Sequence, residues 1–108
     1  MNAEIIRGFT DAIILNCLLE NDSYGYKISK NIIEKTNNMM DIKNATIYFA
    51  FKRMEKDGLI TSYWSDNSDS VKRKYYKITL LGKKYLKDKK NELKNNKKIL
   101  DKLLVGDK

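Results

Sequence analysis

The stretch 44-NATIYFAFKRMEKDGLI-60 decides how the rest of the chain is organised. Its apolar residues recur every three or four positions, which is typical of the buried face of an α-helix. Those residues are Ile47, Ala50, Phe51 and Met54. Asn44 is expected to cap the start of this helix, and Gly58 suits the left-handed position after its end, where Leu59 folds back onto Met54. The pattern therefore predicts a short helix with defined ends.

The opposite face of this helix combines hydroxyl, aromatic and cationic side chains. Its residues are Thr46, Tyr48, Phe49, Lys52, Arg53 and Lys56. Thr46 to Arg53 spans two turns, about the length that a helix presents to base edges in the major groove of DNA. A solvated lysine face is the competing interpretation, but the added aromatics and the guanidinium fork favour DNA contact.

Two helices are predicted upstream. Residues 3–20 have a broad apolar face that includes Ile6, Phe9, Ile13 and Cys17, with Ile14 widening it. A second helix begins after a cap at Asp22 or Ser23 and continues to about Thr36.

A β-hairpin is predicted downstream, because the apolar period changes to two. The segments 59-LITSYWS-65 and 71-VKRKYYKIT-79 alternate in polarity and flank the polar loop 66-DNSDS-70. On the second strand Tyr76 is expected in the core, and Tyr75 is expected to face outward with Arg73.

The hairpin also carries cations. Lys72, Arg73 and Lys74 are the residues expected to contact the DNA backbone, whereas Trp64 on the first strand is expected to pack.

Thr79 is expected to cap a last helix from Leu80 to Val105. Leu86, Leu93 and Leu100 recur every seven residues along it, and Leu103 follows. A helix of about 25 residues is too long to pack entirely on a domain of about 80 residues, so this seam is expected to meet a partner.

Together these elements predict a mostly α protein with a small β-hairpin. It divides into a winged helix-turn-helix DNA-binding domain at 1–79 and a C-terminal dimerisation helix at 80–108. The runner-up interpretation is a winged-helix protein–protein interaction module that binds no DNA. Four cations within residues 72–77, beside a tyrosine, argue against that alternative.

Composition argues against several other classes of function. The chain has no histidine and one cysteine, which makes a metal site, and with it a metal-sensing repressor, improbable. The five glycines do not cluster into a phosphate-binding loop, and no cofactor or enzymatic activity is expected. Cys17 is expected to be a buried small hydrophobe. No apolar run approaches the roughly 20 residues that span a bilayer, and a cytoplasmic location is expected.

The net charge of +8 lies mostly in the tail, where residues 83–108 hold ten Lys against four acidic residues. Bulk charge therefore supports affinity for anions in general without locating a DNA surface. The prediction of a DNA-binding surface therefore depends on the local cationic clusters.

Three motifs, in order and spacing, resemble the PadR family of bacterial transcriptional regulators. The family's "HGY" is matched by Tyr24–Ile28, its "TLYPALKRLE..GLI" by Thr46–Ile60, and its "RKYY.LT..G" by Arg73–Gly82. Tyr24 replaces the family's histidine and Phe49 its proline. The single tail helix resembles that of a smaller subgroup.

The resemblance implies a homodimer in which the last helix packs against the first and last helices of the partner. The residues expected to form that contact are Ile6, Phe9, Ile13, Leu86, Leu93, Leu100 and Leu103. Some members of the subgroup bind flat aromatic compounds between subunits. Accordingly, the broad apolar face of the first helix either lines a cavity for a small aromatic effector or only buries dimer contact. We expect a homodimeric repressor that occupies a palindromic operator in double-stranded DNA.

Overall fold

The computed structural model describes residues 8–65 and 72–105. Its elements are α1 (Thr10–Glu20), α2 (Gly25–Lys35), α3 (Asn44–Lys56), β1 (Ile60–Ser65), β2 (Arg73–Ile78), α4 (Leu80–Leu100) and a π-helical turn (Asp101–Val105). The strands β1 and β2 pair antiparallel, with Ile60 opposite Ile78. Three helices, a hairpin and a tail helix confirm the predicted winged helix-turn-helix. Within the described ranges no helix is both long and apolar enough to cross a lipid bilayer.

A single apolar core joins the helices to the hairpin. The four inward residues predicted for α3 are all buried. The largest fully buried side chains are Phe51, Ile14, Leu15, Leu18, Ile28, Ile47, Met54 and Ile60. Since α3 contributes three of them, its orientation is set by the packing of the whole domain.

The helix α1 has two apolar faces, and only one of them enters the core. Ile14, Leu15 and Leu18 are its buried apolar residues, whereas Ile13 and Cys17 are only partly buried. Cys17, expected to be a buried small hydrophobe, is therefore only partly buried and packs against the core. Ile14, which the sequence placed on the broad apolar face of this helix, lies inside the core. Residues four positions apart share one face, so the stripe through Phe9, Ile13 and Cys17 is turned away from Ile14 and Leu18.

The segment before α2 is extended and pairs with the hairpin. The Ser23 N–H donates to the Tyr76 carbonyl at 3.2 Å, and the Tyr76 N–H donates to the Ser23 carbonyl at 2.7 Å. Ser23 thus forms an isolated antiparallel bridge to β2, and Tyr24, in extended conformation, occupies the N-cap of α2. The predicted cap at Asp22 or Ser23 is wrong, because both residues precede the cap position. Asn37 and Asn38, at φ 51° and 67°, end the helical path.

The ends of α3 are only partly as predicted. Lys43 occupies the N-cap position and Asn44 is the first helical residue, so the predicted capping role of Asn44 is wrong. Gly58 has φ +79°, and the Leu59 N–H donates to the Met54 carbonyl at 2.9 Å. This is the predicted Schellman ending, which turns the chain sharply from α3 into β1.

The first turns of α4 belong to the same core as the winged helix. The Thr79 hydroxyl accepts from the Gly82 N–H at 3.0 Å, which confirms the predicted cap, and donates to the Gly58 carbonyl at 2.7 Å. Leu86 is only 3% exposed, so it belongs to the core of its own protomer, whereas the sequence placed it on the leucine seam that is expected to meet a partner. The α-helical part ends at Leu100, with a π-helical turn where a continuous helix to Val105 was predicted.

Candidate nucleic-acid interface

The nine side chains predicted to contact DNA are all exposed. They are Asn44, Thr46, Tyr48, Phe49, Lys52, Arg53, Lys72, Arg73 and Lys74. Phe49 is 70% exposed although it is a large apolar residue, and Thr46 precedes it by one turn of α3. A phenylalanine this exposed, in a row with Lys52 and Lys56, gives α3 an amphipathic outer surface and not a merely charged one.

Two contacts fix α3 to the hairpin. The ring of Phe51 stacks on Tyr76, with centroids 3.8 Å apart and planes at 18°. The Ser62 hydroxyl donates to Glu55 Oε2 at 2.6 Å. One contact is buried and the other lies at the surface, so helix and wing are held at a set distance from each other.

Tyr48 is exposed but does not extend straight outward from α3. A Cβ added to Gly25 would lie 3.3 Å from its ring, and Tyr48 meets Phe51 edge-on at 6.1 Å. The glycine at the start of α2 therefore lets the Tyr48 ring lie against that helix. Tyr48 nevertheless remains 54% exposed.

Arg53 is paired with a residue that the sequence did not indicate. Its Nη2 donates to Asp11 Oδ1 in the first turn of α1. The two residues are 42 positions apart, and nothing in the local pattern of either helix predicts the pair. Arg53 is thus held at the α1 side of α3, whereas Tyr48 and Glu55 lie toward α2 and the wing.

One face of the hairpin is an aromatic cluster that holds Arg73. The Arg73 guanidinium lies 4.7 Å from the centroid of Tyr24, which meets Tyr75 edge-on at 5.2 Å. Tyr75 stacks on Tyr63 at 5.9 Å, and the Tyr63 hydroxyl donates to Asp22 Oδ2 at 2.7 Å. That hydrogen bond raises the pKa of the Tyr63 phenol above its usual value. The predicted common face of Tyr75 and Arg73 is confirmed, but Tyr75 is half-covered by this cluster.

Lys74 lies on the opposite face of β2, so the structure does not bring it together with Arg73. Its Nζ is 5.8 Å from the centroid of Tyr76, and its cross-strand partner is Trp64. Trp64 is 64% exposed, and the prediction that it packs is wrong. It has the strand parity of the core residue Ile60, but β1 has passed the edge of the core by this position.

A groove of about 420 Å³ lies between α1, α2 and α4, away from α3. Its wall is mostly apolar and includes Phe9, Ala12, Ile13, Cys17, Ile32, Met40, Leu86 and Leu93. Asn31 also lines the groove, and its Oδ1 is buried without a hydrogen-bond partner in the described part of the chain. Burial raises the pKa of the Cys17 thiol.

The residues predicted to form the dimer contact do not all lie together. Phe9, Ile13 and Leu93 line the groove, with Leu86 at its floor. Leu100 and Leu103 lie further along the tail and are 52% and 74% exposed; Ile6 is outside the described residues. Across residues 8–65 and 72–105, no three His, Cys, Asp or Glu side chains are grouped so that they could hold a metal ion.

Comparison with known proteins gives matches over almost the whole chain. The description of the matching protein family is "Transcriptional regulator PadR-like family", and residues 14–88 match it. An uncharacterised protein of Lysinibacillus sphaericus is 48% identical over 106 residues, which cover 98% of this chain and 97% of that protein.

Solved structures have the same fold. A transcriptional regulator from Clostridium thermocellum is 46% identical, with a TM-score of 0.89 over 96% of this chain and 98% of that chain. Bacillus subtilis PadR, solved in complex with operator DNA, is 26% identical, with a TM-score of 0.66. That match covers 73% of this chain and 45% of the longer protein.

Proposed function

The chain belongs to the PadR-like family of transcriptional regulators, and from that premise we propose that it is a homodimeric repressor that occupies a palindromic operator. The outer surface of α3 carries this proposal. Its opposite face is entirely buried, and its outer face has Thr46, Phe49 and Lys52 exposed in adjacent turns. Hydroxyl, ring and ammonium groups in one row suit the donors, acceptors and thymine methyls of a major groove.

The wing is proposed to contact DNA beside the segment read by α3. Lys72 and Lys74 are exposed near the end of the hairpin, and the Phe51–Tyr76 stack holds that hairpin against α3. Because helix and wing are fixed to each other, they would approach one duplex as a single surface. Bacillus subtilis PadR, which has the same fold over most of this chain, was solved with operator DNA, and this supports the same use of the surface here.

Dimerisation is proposed to occur through the groove of α1, α2 and α4. Leu93 and Leu100 are each 52% exposed on a helix about 31 Å long, whose buried Leu86 lies near its beginning. A groove on the same side offers an apolar surface to a second tail helix. Two-fold symmetry would then place two copies of α3 one turn of DNA apart, the spacing that reads a palindrome.

Relief by a small aromatic ligand is the last part of the proposal. The groove volume of about 420 Å³ lies in the range of small-molecule sites, and its lining is mostly apolar. A planar ligand held there would change the packing of α1 against the tail helix, and so the separation of the two recognition helices.

The test of DNA recognition is selection of duplexes from a random-sequence library with the full-length protein. We expect an enriched palindrome whose half-sites are centred about 10 base pairs apart, or a multiple of that. A Lys52→Ala variant should enrich it less strongly, and Lys87→Ala, an exposed lysine of α4, serves as the matched control. Failure of the wild-type protein to enrich any sequence would contradict the proposed operator binding.

Repression has its own test. A reporter gene placed downstream of the enriched palindrome should be expressed less when the protein is present, and the Lys52→Ala variant should restore expression. Increased expression with the wild-type protein would indicate an activator.

A further inference from the structure

The ion pair between Asp11 and Arg53 connects α1, which lines the groove, with α3, whose outer face is proposed to contact DNA. Asp11 lies in the first turn of α1, and Arg53 lies on α3, near the exposed row. The Asp11 side chain is 19% exposed and that of Arg53 is 54% exposed. The carboxylate is thus the fixed partner, and the guanidinium is the half-exposed group that it holds.

Contributing to stability is a weak explanation for such a contact. Half-exposed ion pairs contribute little to folding, because solvent screens them and a long side chain must be ordered. Ordering a long side chain is useful, however, where its orientation is read by a ligand. A guanidinium has five N–H donors in a planar fork, and one carboxylate oxygen at Nη2 occupies only part of it.

The charge of Asp11 has a second consequence for DNA. Three cations, Lys52, Arg53 and Lys56, lie on the outer side of α3. Contacts of cations with phosphates carry no sequence information, whereas a guanidinium aligned with a guanine edge does. A carboxylate beside Arg53 lowers the attraction of this residue to phosphates in general and leaves its directional donors in place.

We propose that Asp11 is a positioning residue for sequence readout: it holds Arg53 in one orientation toward the base edges and disfavours its use as a general phosphate contact. This inference rests on the proposed operator binding. It assigns to α1 a part in specificity although Asp11 itself touches no DNA.

The test uses the full-length chain and two duplexes, the palindrome enriched by the wild-type protein and a scrambled duplex of equal composition. The Kd for each is measured at one salt concentration, and the readout is their ratio. In Asp11→Asn we expect that ratio to fall about tenfold, the scale of one good base contact. Affinity for the scrambled duplex should be unchanged or higher. Asp11→Glu, which keeps the carboxylate, should recover part of the ratio.

The matched control is Glu20→Gln. It removes one negative charge and one ion pair from the other end of α1, where Glu20 lies 3.8 Å from Lys35. Its ratio of affinities should equal that of the wild-type protein. A thermal melt of each variant separates folding from recognition, since a merely structural Asp11 would lower the melting temperature and leave the ratio of the folded protein intact.

A double-mutant cycle decides whether Asp11 acts through Arg53. In an Arg53→Met background, Asp11→Asn should cause no further loss of discrimination. A loss that persists there, or an unchanged ratio in Asp11→Asn alone, would overturn the inference while the proposed function stands. Equal tightening on both duplexes would also overturn it, because Asp11 would then only compete with DNA. A wild-type protein that enriches no duplex overturns both.

Discussion

Replacing Leu93 and Leu100 by alanine should separate the proposed dimer without unfolding the protomer. Both side chains are 52% exposed in the single chain, so neither is required to complete its core. Leu86, at 3% exposure, is required for that core. Removal of the whole tail after Gly82 would therefore test folding and dimerisation together, and the two point substitutions test dimerisation alone.

The expected magnitude follows from the exposed half of each leucine. Full burial of a leucine side chain contributes about 1.5–3 kcal/mol, so covering the remaining half contributes about 0.8–1.5 kcal/mol. A two-fold dimer contains four such side chains, which gives about 3–6 kcal/mol in total. The dissociation constant of the dimer should rise by about 10²–10⁴.

Sedimentation equilibrium over a range of protein concentrations measures this change, with Leu80→Ala as the control. Leu80 is 83% exposed in the first turn of α4 and does not line the groove. The far-ultraviolet circular dichroism of the double variant should match that of the wild-type protein at concentrations where the latter is dissociated. A double variant that sediments as a dimer with unchanged affinity, and binds operator equally well, would refute the assignment of the interface to this side of α4.

Three further outcomes are expected. If Lys72 and Lys74 contact phosphates, the slope of log affinity against log salt should be on the order of −5 to −9 for the dimer, and replacing both by alanine should flatten it in a gel-shift titration without changing the preferred sequence. Gly82→Ala would place a Cβ 2.2 Å from the Leu59 carbonyl oxygen. The overpacking, about 1–3 kcal/mol, should exceed the gain in helix propensity of about 1 kcal/mol, and a lower melting temperature is expected. Cys17, whose pKa is raised by burial, should react with iodoacetamide at pH 8 more slowly than the thiol of a small-molecule cysteine in water. In the variant with alanine at positions 93 and 100 it should react faster than in the wild-type protein.

The parts of the fold that the sequence predicted correctly rest on strong local patterns. The inward face of α3 follows from a 3.6-residue period, and the turn at Gly58 follows from the need for positive φ. Tyr76 was placed in the core by strand parity with Ile78, and both residues are buried. In each case the deciding residues are near neighbours along the chain, where the geometry of helix and strand is fixed.

Two of the incorrect predictions involve contacts between distant segments. Ser23 was expected as a helix cap, but its backbone N–H and carbonyl form hydrogen bonds with the backbone of Tyr76, 53 positions later. Trp64 has the parity of a core residue, and only the actual extent of the core shows that β1 passes its edge. The Asp11–Arg53 pair also joins distant segments and was not predicted. In its local sequence Asp11 is indistinguishable from any acidic residue in the first turn of a helix.

The two sides of α1 place the proposed dimer contact and the proposed contribution to DNA recognition on one helix. Phe9 and Ile13 line the groove, and Asp11, between them in the chain, turns to the other side and holds Arg53. A tail helix or ligand that binds in the groove and shifts α1 would move the Asp11 carboxylate as well. Asp11 and the groove residues Phe9 and Ile13 lie at the same end of α1. Differential contact with α1 is then enough to change how Arg53 is presented, without any motion inside α3. Such coupling is reciprocal, so operator DNA should strengthen dimerisation of the wild-type chain more than that of Asp11→Asn.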